Sequence, residues 1–434
     1  MIQRLDLRGT RPTPAELLAT IPRAVTDVTA ASSVAAELIA DVRARGEAAL
    51  YDQAERLDRV RPDALRVPES DIAEALAALS PEVRTAIEET IRRVRLASEA
   101  QVPPRVTTTI AEGAVITQRW QPIRRVGLYV PGGKAVYPSS VVMNVVPAQV
   151  AGVTSIALAS PPQQAFGGRV HPTILAVAGL LGVTEIYAMG GAGAVGAFAY
   201  GVQSLGLDPV QLVTGPGNVY VAAAKRLVRG VTGIDSEAGP TDILVIADSG
   251  ADPLLVAADL VSQAEHDELA AAVLVTDSAE LADAVTARLA VLAVTTPHGE
   301  RVTAALSGTQ SAIVLVDDLA AAAAFSNAFG PEHLEIQTRD PHVELALIEN
   351  AGAIFLGPNS PVSLGDYSAG SNHVLPTGGQ ARFSSGLGAY TFLRPQQVVE
   401  YSRDALREVA ANIAALSDAE DLPAHGAAVT ARFV

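Results

Sequence analysis

The sequence predicts an α/β protein: two packed domains with incomplete doubly wound, Rossmann-like parallel sheets, plus small helical terminal elements. Three observations carry that expectation. Between Val126 and Val316, short β-rich runs alternate with alanine-rich helical stretches, as strands and crossover helices do in parallel sheets. Several of those runs end in glycine turns, and strand ends are where open α/β sheets bind ligands. At 434 residues, 49% of them hydrophobic, the chain can fill more than one core.

Taken in order, the first residues, Met1 to Arg8, lack the apolar centre of a signal peptide. Residues 13–100 read as mostly helical, with apolar positions recurring at three and four in Ser33–Val42 and Val83–Ile91. Pro103-Pro104 breaks that texture, and a strand candidate at Thr107–Ile110 precedes a turn at Glu112-Gly113. Strands are then expected over Val126–Val130, Ser155–Ala159, Glu185–Met189, Val210–Thr214, Ile243–Ala247, Ala272–Thr276 and Ala312–Val316. Helices are expected between them over Pro172–Leu181, Tyr220–Val228, Pro253–Glu265 and Ala279–Leu289. A further unit follows as helix Leu319–Phe329, strand Leu334–Gln337, helix Pro341–Asn350 and strand Ala353–Leu356. Residues 358–390 are rich in Gly, Ser, Pro and Asn without periodicity, a texture more often functional than idle. A helix at Arg403–Leu416 leads into the tail. The expected division is a segment 1–24, a main domain from 25–125 with 237–386, an inserted domain 126–236 and a C-terminal tail 387–434.

Composition removes several function classes. The balance of 31 basic against 47 acidic residues, net −16, argues against a nucleic-acid or anionic-membrane partner. There is no cysteine, so disulfides, iron–sulfur clusters, thiolate zinc sites and thiol nucleophiles are excluded. A transition metal would need His, Asp, Glu, Gln or Asn. No apolar run is long enough to span a bilayer, and the expectation is a cytoplasmic protein.

Only seven histidines occur, and two sit between carboxylates: Glu265-His266-Asp267-Glu268 and Glu332-His333-Leu334-Glu335. A carboxylate beside an imidazole can fix the tautomer of a metal-bound ring or form an acid/base pair near neutral pH. Gln263 and His266 are i, i+3 neighbours on an expected helix and read as a ligand pair. Glu332 and His333 follow the loop signal Gly330-Pro331 and read as an acid/base pair. The competing reading is two capped or solvated helix ends. His171, His298 and His342 adjoin prolines and are expected to be exposed, while His373 is expected to fix its loop.

Three glycine turns stand at strand ends: Tyr129-Val130-Pro131-Gly132-Gly133, Gly191-Ala192-Gly193-Ala194-Val195-Gly196 and Thr214-Gly215-Pro216-Gly217-Asn218. The second satisfies the dinucleotide fingerprint, following a strand and opening a helix. No acidic residue ends the next strand, however. A nucleotide or phosphate is expected in this half, held in some other way.

Together these motifs resemble histidinol dehydrogenase. The matching stretches are the turns at 127–133 and 214–218, Ile234-Asp235 with Ala238-Gly239-Pro240-Thr241, Ser262 through Asp267, Glu332 through Glu335, Gly365-Asp366-Tyr367, Asn372 through Pro376, and Leu422 through His425. They run in family order and span most of the chain. The resemblance implies a homodimer with tail-exchanged active sites and one zinc per subunit. It would oxidise L-histidinol through L-histidinaldehyde to L-histidine with NAD, the last step of histidine biosynthesis. The implied zinc ligands are Gln263, His266, Asp366 and His425; the implied acid/base pair is Glu332 and His333. These ligands and His333, with Thr241 and Glu420, would also bind substrate, and Tyr129 and Asn218 would touch NAD. One position departs: where the family carries a glutamine after Gly-Gly-Ala, this chain has Gly193.

That assignment suits the residues. Two imidazoles, a carboxylate and an amide oxygen form a donor set suited to Zn²⁺. Aldehyde oxidation without cysteine needs water as the nucleophile, for which Glu332 is the natural base, leaving the hydroxyl proton to His333. Three other readings compete. A family member acting on a different amino alcohol would keep the ligands and change the pocket. A non-catalytic metal or nucleotide binder would need no acid/base pair, and a metal-dependent hydrolase would leave the glycine turns unexplained.

Overall fold

Apolar runs separated by alanine-rich helices bury both faces when they lie as parallel strands between helical layers. The computed structural model of the chain has two such sheets; it describes residues 2–24, 28–132, 136–237 and 239–434. The strands are β1 (Gln3–Asp6), β2 (Val106–Ala111), β3 (Ala114–Pro122), β4 (Arg125–Tyr129), β5 (Ser155–Ser160), β6 (Ile186–Ala188) and β7 (Leu212–Thr214). They continue as β8 (Gly233–Ile234), β9 (Asp242–Ala247), β10 (Ala271–Thr276), β11 (Ala312–Leu315), β12 (His333–Gln337), β13 (Ala353–Leu356) and β14 (Leu393–Tyr401).

The glycine-turn region forms a five-stranded parallel sheet in the order β6-β5-β4-β7-β8. The larger sheet is parallel in the order β1-β11-β10-β9-β12-β13. Each reverses its winding once, between β4 and β7 in the first and between β9 and β12 in the second. Such reversals open crevices at strand ends.

Alternation along the strands sorts the core. Val126 and Leu128 face the helices Pro138–Val150 and Pro172–Leu180, whereas Tyr129, Ala157 and Ala159 face Val28–Arg45, Gly191–Tyr200 and Val219–Val228. In the larger sheet Leu334 and Ile336 join Leu244, Ile246 and Phe325 on one face. The period of two therefore sends His333, Glu335 and Gln337 to the opposite face, where Gln337 Nε2 reaches Asp259 of the helix Pro253–Ala264 at 2.9 Å.

The structure departs from the sequence reading in several places. The edge strand β1 and the antiparallel sheet β14-β3-β2 were not expected beyond its Thr107–Ile110 part; their pairings join residues far apart in sequence. The helix Pro138–Val150 carries no amphipathic signal because Ser140 through Ala148 are all buried. A helix expected to Asn350 stops at Leu345, and the irregular 358–390 stretch holds a short helix, Val362–Tyr367. The helices between residues 28 and 100, grouped by sequence with 237–386, pack against the helices flanking the five-stranded sheet through Val28–Arg45, Glu69–Ala78 and Pro81–Ala100. Gly133 and Ala238, parts of two sequence motifs, and Val25, where the main domain was expected to start, lie outside the described residues. No helix among the described residues is long and apolar enough to cross a membrane.

Candidate active site

The acid/base pair stands where β9 and β12 begin. The two strands run side by side with His333 opposite Ile243, so the residues just before them meet. Glu332 N–H donates to Asp242 Oδ1 at 2.7 Å, and Asp242 N–H donates back to Glu332 Oε2 at 3.1 Å. This reciprocal pair pins both side chains against the backbone. Glu332 is 6% exposed and His333 5%. Burial pushes the Glu332 carboxyl up to about 7, against the pull of its bonds from Thr241 and Asp242 N–H. Burial, helped by the charge of Glu332, pushes Asp242 up to about 6, partly offset by Arg23 at 3.8 Å.

His333 Nδ1 lies 3.0 Å from the Asp242 carbonyl. A carbonyl only accepts, so Nδ1 carries the proton and Nε2 presents its lone pair. Nε2 is buried and meets no hydrogen-bond partner among the described residues. A free imidazole nitrogen held in one tautomer is what a general base requires.

Three of the four proposed ligands, Gln263, His266 and Asp366, bear on this corner. Thr241 Oγ1 donates to Glu332 Oε2 at 2.6 Å and accepts from Gln263 Nε2 at 2.7 Å. That relay turns the Gln263 amide so that Oε1 is buried with no partner, an arrangement suited to a cation. His266 was expected on the same helix as Gln263. The helix ends at Ala264, however, with Glu265 as its C-cap, and His266 stands in the following turn. There its N–H reaches the Gln263 carbonyl at 3.2 Å, and Nδ1 lies 3.2 Å from the same oxygen. The charges of His266 and Asp366 both act on Glu332 and on His373. His373 bridges Ser140 Oγ at 3.0 Å and the Asp366 carbonyl at 3.1 Å. With both nitrogens engaged it fixes its loop, as expected.

A second buried network carries these elements. Glu335 Oε1 accepts from Val362 N–H at 2.9 Å, at the start of the helix that ends near Asp366, and Oε2 accepts from Gln337 Nε2 at 2.9 Å. Gln337 in turn reaches Asp259, one turn before Gln263. Burial pushes both carboxyls up, Glu335 well above its ordinary range. The strand of His333, the helix of Gln263 and the helix of Asp366 are thus joined through Gln337 and Asp259, to which the sequence assigned no role, and Glu335, noted there only as a carboxylate flanking His333.

At the other sheet, Gly215 N–H donates to Asp235 at 2.9 Å, and the buried Lys225 Nζ bonds Asp235 and the Gly215 carbonyl, each at 2.5 Å. Gly215 has φ +114 and packs on the backbone of Tyr129, so no side chain fits. A cavity of about 110 Å³ lies between Gly215 and Gly217 on one side and Thr241, Glu332, His373 and Thr377 on the other. Asn218 caps the helix Val219–Val228, accepting from Tyr220 and Val221 N–H. The Tyr129 hydroxyl accepts from Gly191 N–H at 3.1 Å and is pushed up to about 12, mainly by burial. Buried Ser160 Oγ, at the end of β5, and Gln163 Nε2, in the loop after it, have no hydrogen-bond partners among the described residues. At Gly193 a β-carbon would collide with Oε1 of Gln53, whose Nε2 donates to the Leu38 carbonyl, so the space a side chain would take there is filled from another helix.

Glu420 and His425 are not brought to this corner. Glu420 ends the helix Arg403–Ala419, His425 lies on Pro423–Thr430, and both are exposed. Among the described residues of one chain, no three His, Asp or Glu side chains gather to hold a metal. His298 and His342 are exposed, as expected. His171 is half-buried instead, accepting from Thr173 N–H to cap a helix and meeting Phe166 edge-on.

A family model described as histidinol dehydrogenase matches residues 21–433. The histidinol dehydrogenase of Leifsonia xyli subsp. xyli is 69% identical over 432 residues, covering 100% of this chain and 99% of that one. The histidinol dehydrogenase of Thermobifida fusca is 58% identical over 433 residues, covering 100% and 98%. A crystal structure of histidinol dehydrogenase from Elizabethkingia anophelis matches with a TM-score of 0.92 at 31% identity, covering 100% and 98%.

Proposed function

This chain belongs to the histidinol dehydrogenase family, and on that premise we propose that it oxidises L-histidinol through L-histidinaldehyde to L-histidine, with NAD and one zinc per subunit, as a cytoplasmic homodimer. The observation that carries the reading is His333: one nitrogen tied to a carbonyl, the other buried and unpartnered.

His333 Nε2 takes the hydroxyl proton as the alcohol becomes an aldehyde. Glu332, poised near neutrality, takes a proton from the water that adds to that aldehyde. Thr241 holds Glu332 and the Gln263 amide in register and lines the cavity in which the substrate is placed. Gln263, through its unpartnered Oε1, would hold zinc with His266, Asp366 and His425 of the partner subunit. When bound, zinc supplies a fixed point that orients the substrate's amine and imidazole. The glycine turns at the carboxyl ends of β4 and β7, with Tyr129 and Asn218, would receive NAD, whose chemistry is hydride acceptance in each oxidation. The unpartnered Ser160 Oγ and Gln163 Nε2 support a polar ligand there. Because Glu420 and His425 stand exposed in their own chain, an isologous dimer with exchanged tails is the arrangement that completes substrate and metal binding.

The direct test is NADH formation on adding L-histidinol, followed before and after chelation. We expect about two NADH per histidinol consumed, loss of turnover on chelation and recovery with Zn²⁺. Turnover of another amino alcohol but not of histidinol would overturn the substrate assignment; full turnover in metal-free protein would overturn the zinc.

A further inference from the structure

We propose that Asp58 recognises the adenosine ribose of NAD, accepting hydrogen bonds from its hydroxyls and disfavouring a 2′-phosphate. The inference rests on the NAD reading above and adds a residue to it. In a doubly wound nucleotide-binding sheet, an acidic residue at the end of the second strand usually holds that ribose. Here the second strand, β5, ends in Ser160-Pro161, and no carboxylate follows.

The fold brings one there from another part of the chain. A β-carbon built on Gly190, just beyond β6, would lie 2.9 Å from Pro161 Cβ and 3.4 and 3.6 Å from the two Asp58 carboxylate oxygens. The charge of Asp58 also bears on the Tyr129 hydroxyl at the end of β4. The carboxylate therefore sits over the carboxyl ends of these strands, in the place left empty by sequence.

Asp58 is half-buried, and no described group hydrogen-bonds or ion-pairs with it. Burial alone pushes its carboxyl up to about 6. Leaving such a group without a partner is unfavourable for folding. The backbone that presents it is unusual as well. Asp58 ends a π-helical turn, Ala54–Asp58, and Arg59 follows in the left-handed region at φ 57. Such turns and strained residues cluster at functional sites. The Arg59 carbonyl is pinned by Gln164 Nε2 at 2.7 Å, in the loop after β5.

Which end of the cofactor meets Asp58 follows from the layout. The nicotinamide must lie toward Glu332 and His333, beside the Gly215–Gly217 turn after β7. Asp58 lies on the other side of β4, at the β5 and β6 ends. It therefore meets the adenosine half.

The test compares wild type with Asp58→Ala and Asp58→Asn, using calorimetric binding of NAD, steady-state kinetics and thermal melting. A hydrogen bond to a charged group predicts that Asp58→Ala weakens NAD binding roughly ten- to a hundredfold, with the KM for histidinol unchanged. NAD lacking the adenosine 2′-hydroxyl should bind wild type less tightly but bind Asp58→Ala no worse than NAD itself. Asp58→Asn should narrow the preference for NAD over NADP. Both variants should melt at or above the wild-type temperature at pH 8, because an unpaired half-buried charge is removed. Unchanged NAD affinity in the variants overturns the proposal while leaving the NAD reading intact; failure of wild type to bind NAD overturns both. Lowered melting with parallel losses for NAD and histidinol would assign Asp58 to folding and likewise overturn it.

Discussion

The two sheets present opposite ends to one cavity. The five-stranded sheet offers the carboxyl end of β7, through the Gly215 turn, whereas the six-stranded sheet offers the amino ends of β9 and β12, through Thr241 and Glu332. Their polar groups are treated differently. At the carboxyl ends Ser160 Oγ, Gln163 Nε2 and the Asp58 carboxylate stand without a hydrogen-bond partner among the described residues. At the amino ends Asp242, Glu332, Thr241 and Gln263 bond one another, and Gln263 Oε1 and His333 Nε2 are buried without a partner among the described residues. One end suits the cofactor proposed above, with polar groups left open; the other, with its side chains already bonded in place, suits the proposed proton transfer. Preorganised side chains favour reaction because they need not be ordered when it occurs.

The contrast is tested most severely by His333. His333→Asn should lower kcat by about 10²–10⁴-fold with zinc content unchanged, whereas His266→Asn should lose zinc by elemental analysis. Equal loss of metal in both variants would place His333 among the ligands and remove the distinction.

The tail sharpens the comparison, since Glu420 and His425 belong to neither sheet. When His266→Asn and His425→Asn are mixed and reassembled, exchanged tails put both lesions in one site of each mixed dimer and leave the other site intact. Activity should return from two inactive parents. Mixed dimers confirmed by mass spectrometry yet still inactive would keep His425 in its own subunit's site or outside any site.

The smallest effect concerns pH. Glu332 is raised to about 7 in the folded protein, so its basic form grows as pH rises through that value. Oxidation of supplied histidinaldehyde should climb with pH up to about 7, no more than tenfold per unit, then level. In Glu332→Gln that limb should be absent from a lowered rate. The stability effect has the opposite sign. A carboxyl whose folded pKa is raised favours folding when protonated and loses that advantage as pH rises from its ordinary range toward 7. Glu332→Gln should therefore melt no lower than wild type at pH 8. A limb preserved in the variant would assign the titration to another group.

Much of the site was legible because its motifs are short and local. Glu332-His333 announces itself by two adjacent residues, and Gln263 with His266 by a spacing of three, even though that spacing is kept by a turn and not by the helix. Asp242 left no comparable signal: it reads as the polar start of an apolar strand, and its partners, the start of β12 and Arg23, come from remote parts of the chain. The Glu335, Gln337 and Asp259 network was hidden for the same reason, its members serving different elements. Gly193 misled in the opposite direction, since its fingerprint pattern conceals a contact with Gln53.

By itself the sequence determined the parallel α/β character, the absence of thiol chemistry and which side chains are proposed as the acid/base pair and the metal ligands. These depend on residue type, on periods of two and 3.6, and on spacings of a few residues, all local properties of the chain. Tertiary structure alone decided which strand ends face one another, which imidazole nitrogen is left free, where Asp58 stands relative to β5, and that Glu420 and His425 remain outside their own chain's corner. Those outcomes depend on strand order and on burial. Both are set by contacts between residues remote in sequence, and burial moves a carboxyl such as Glu332 from its ordinary range to neutrality.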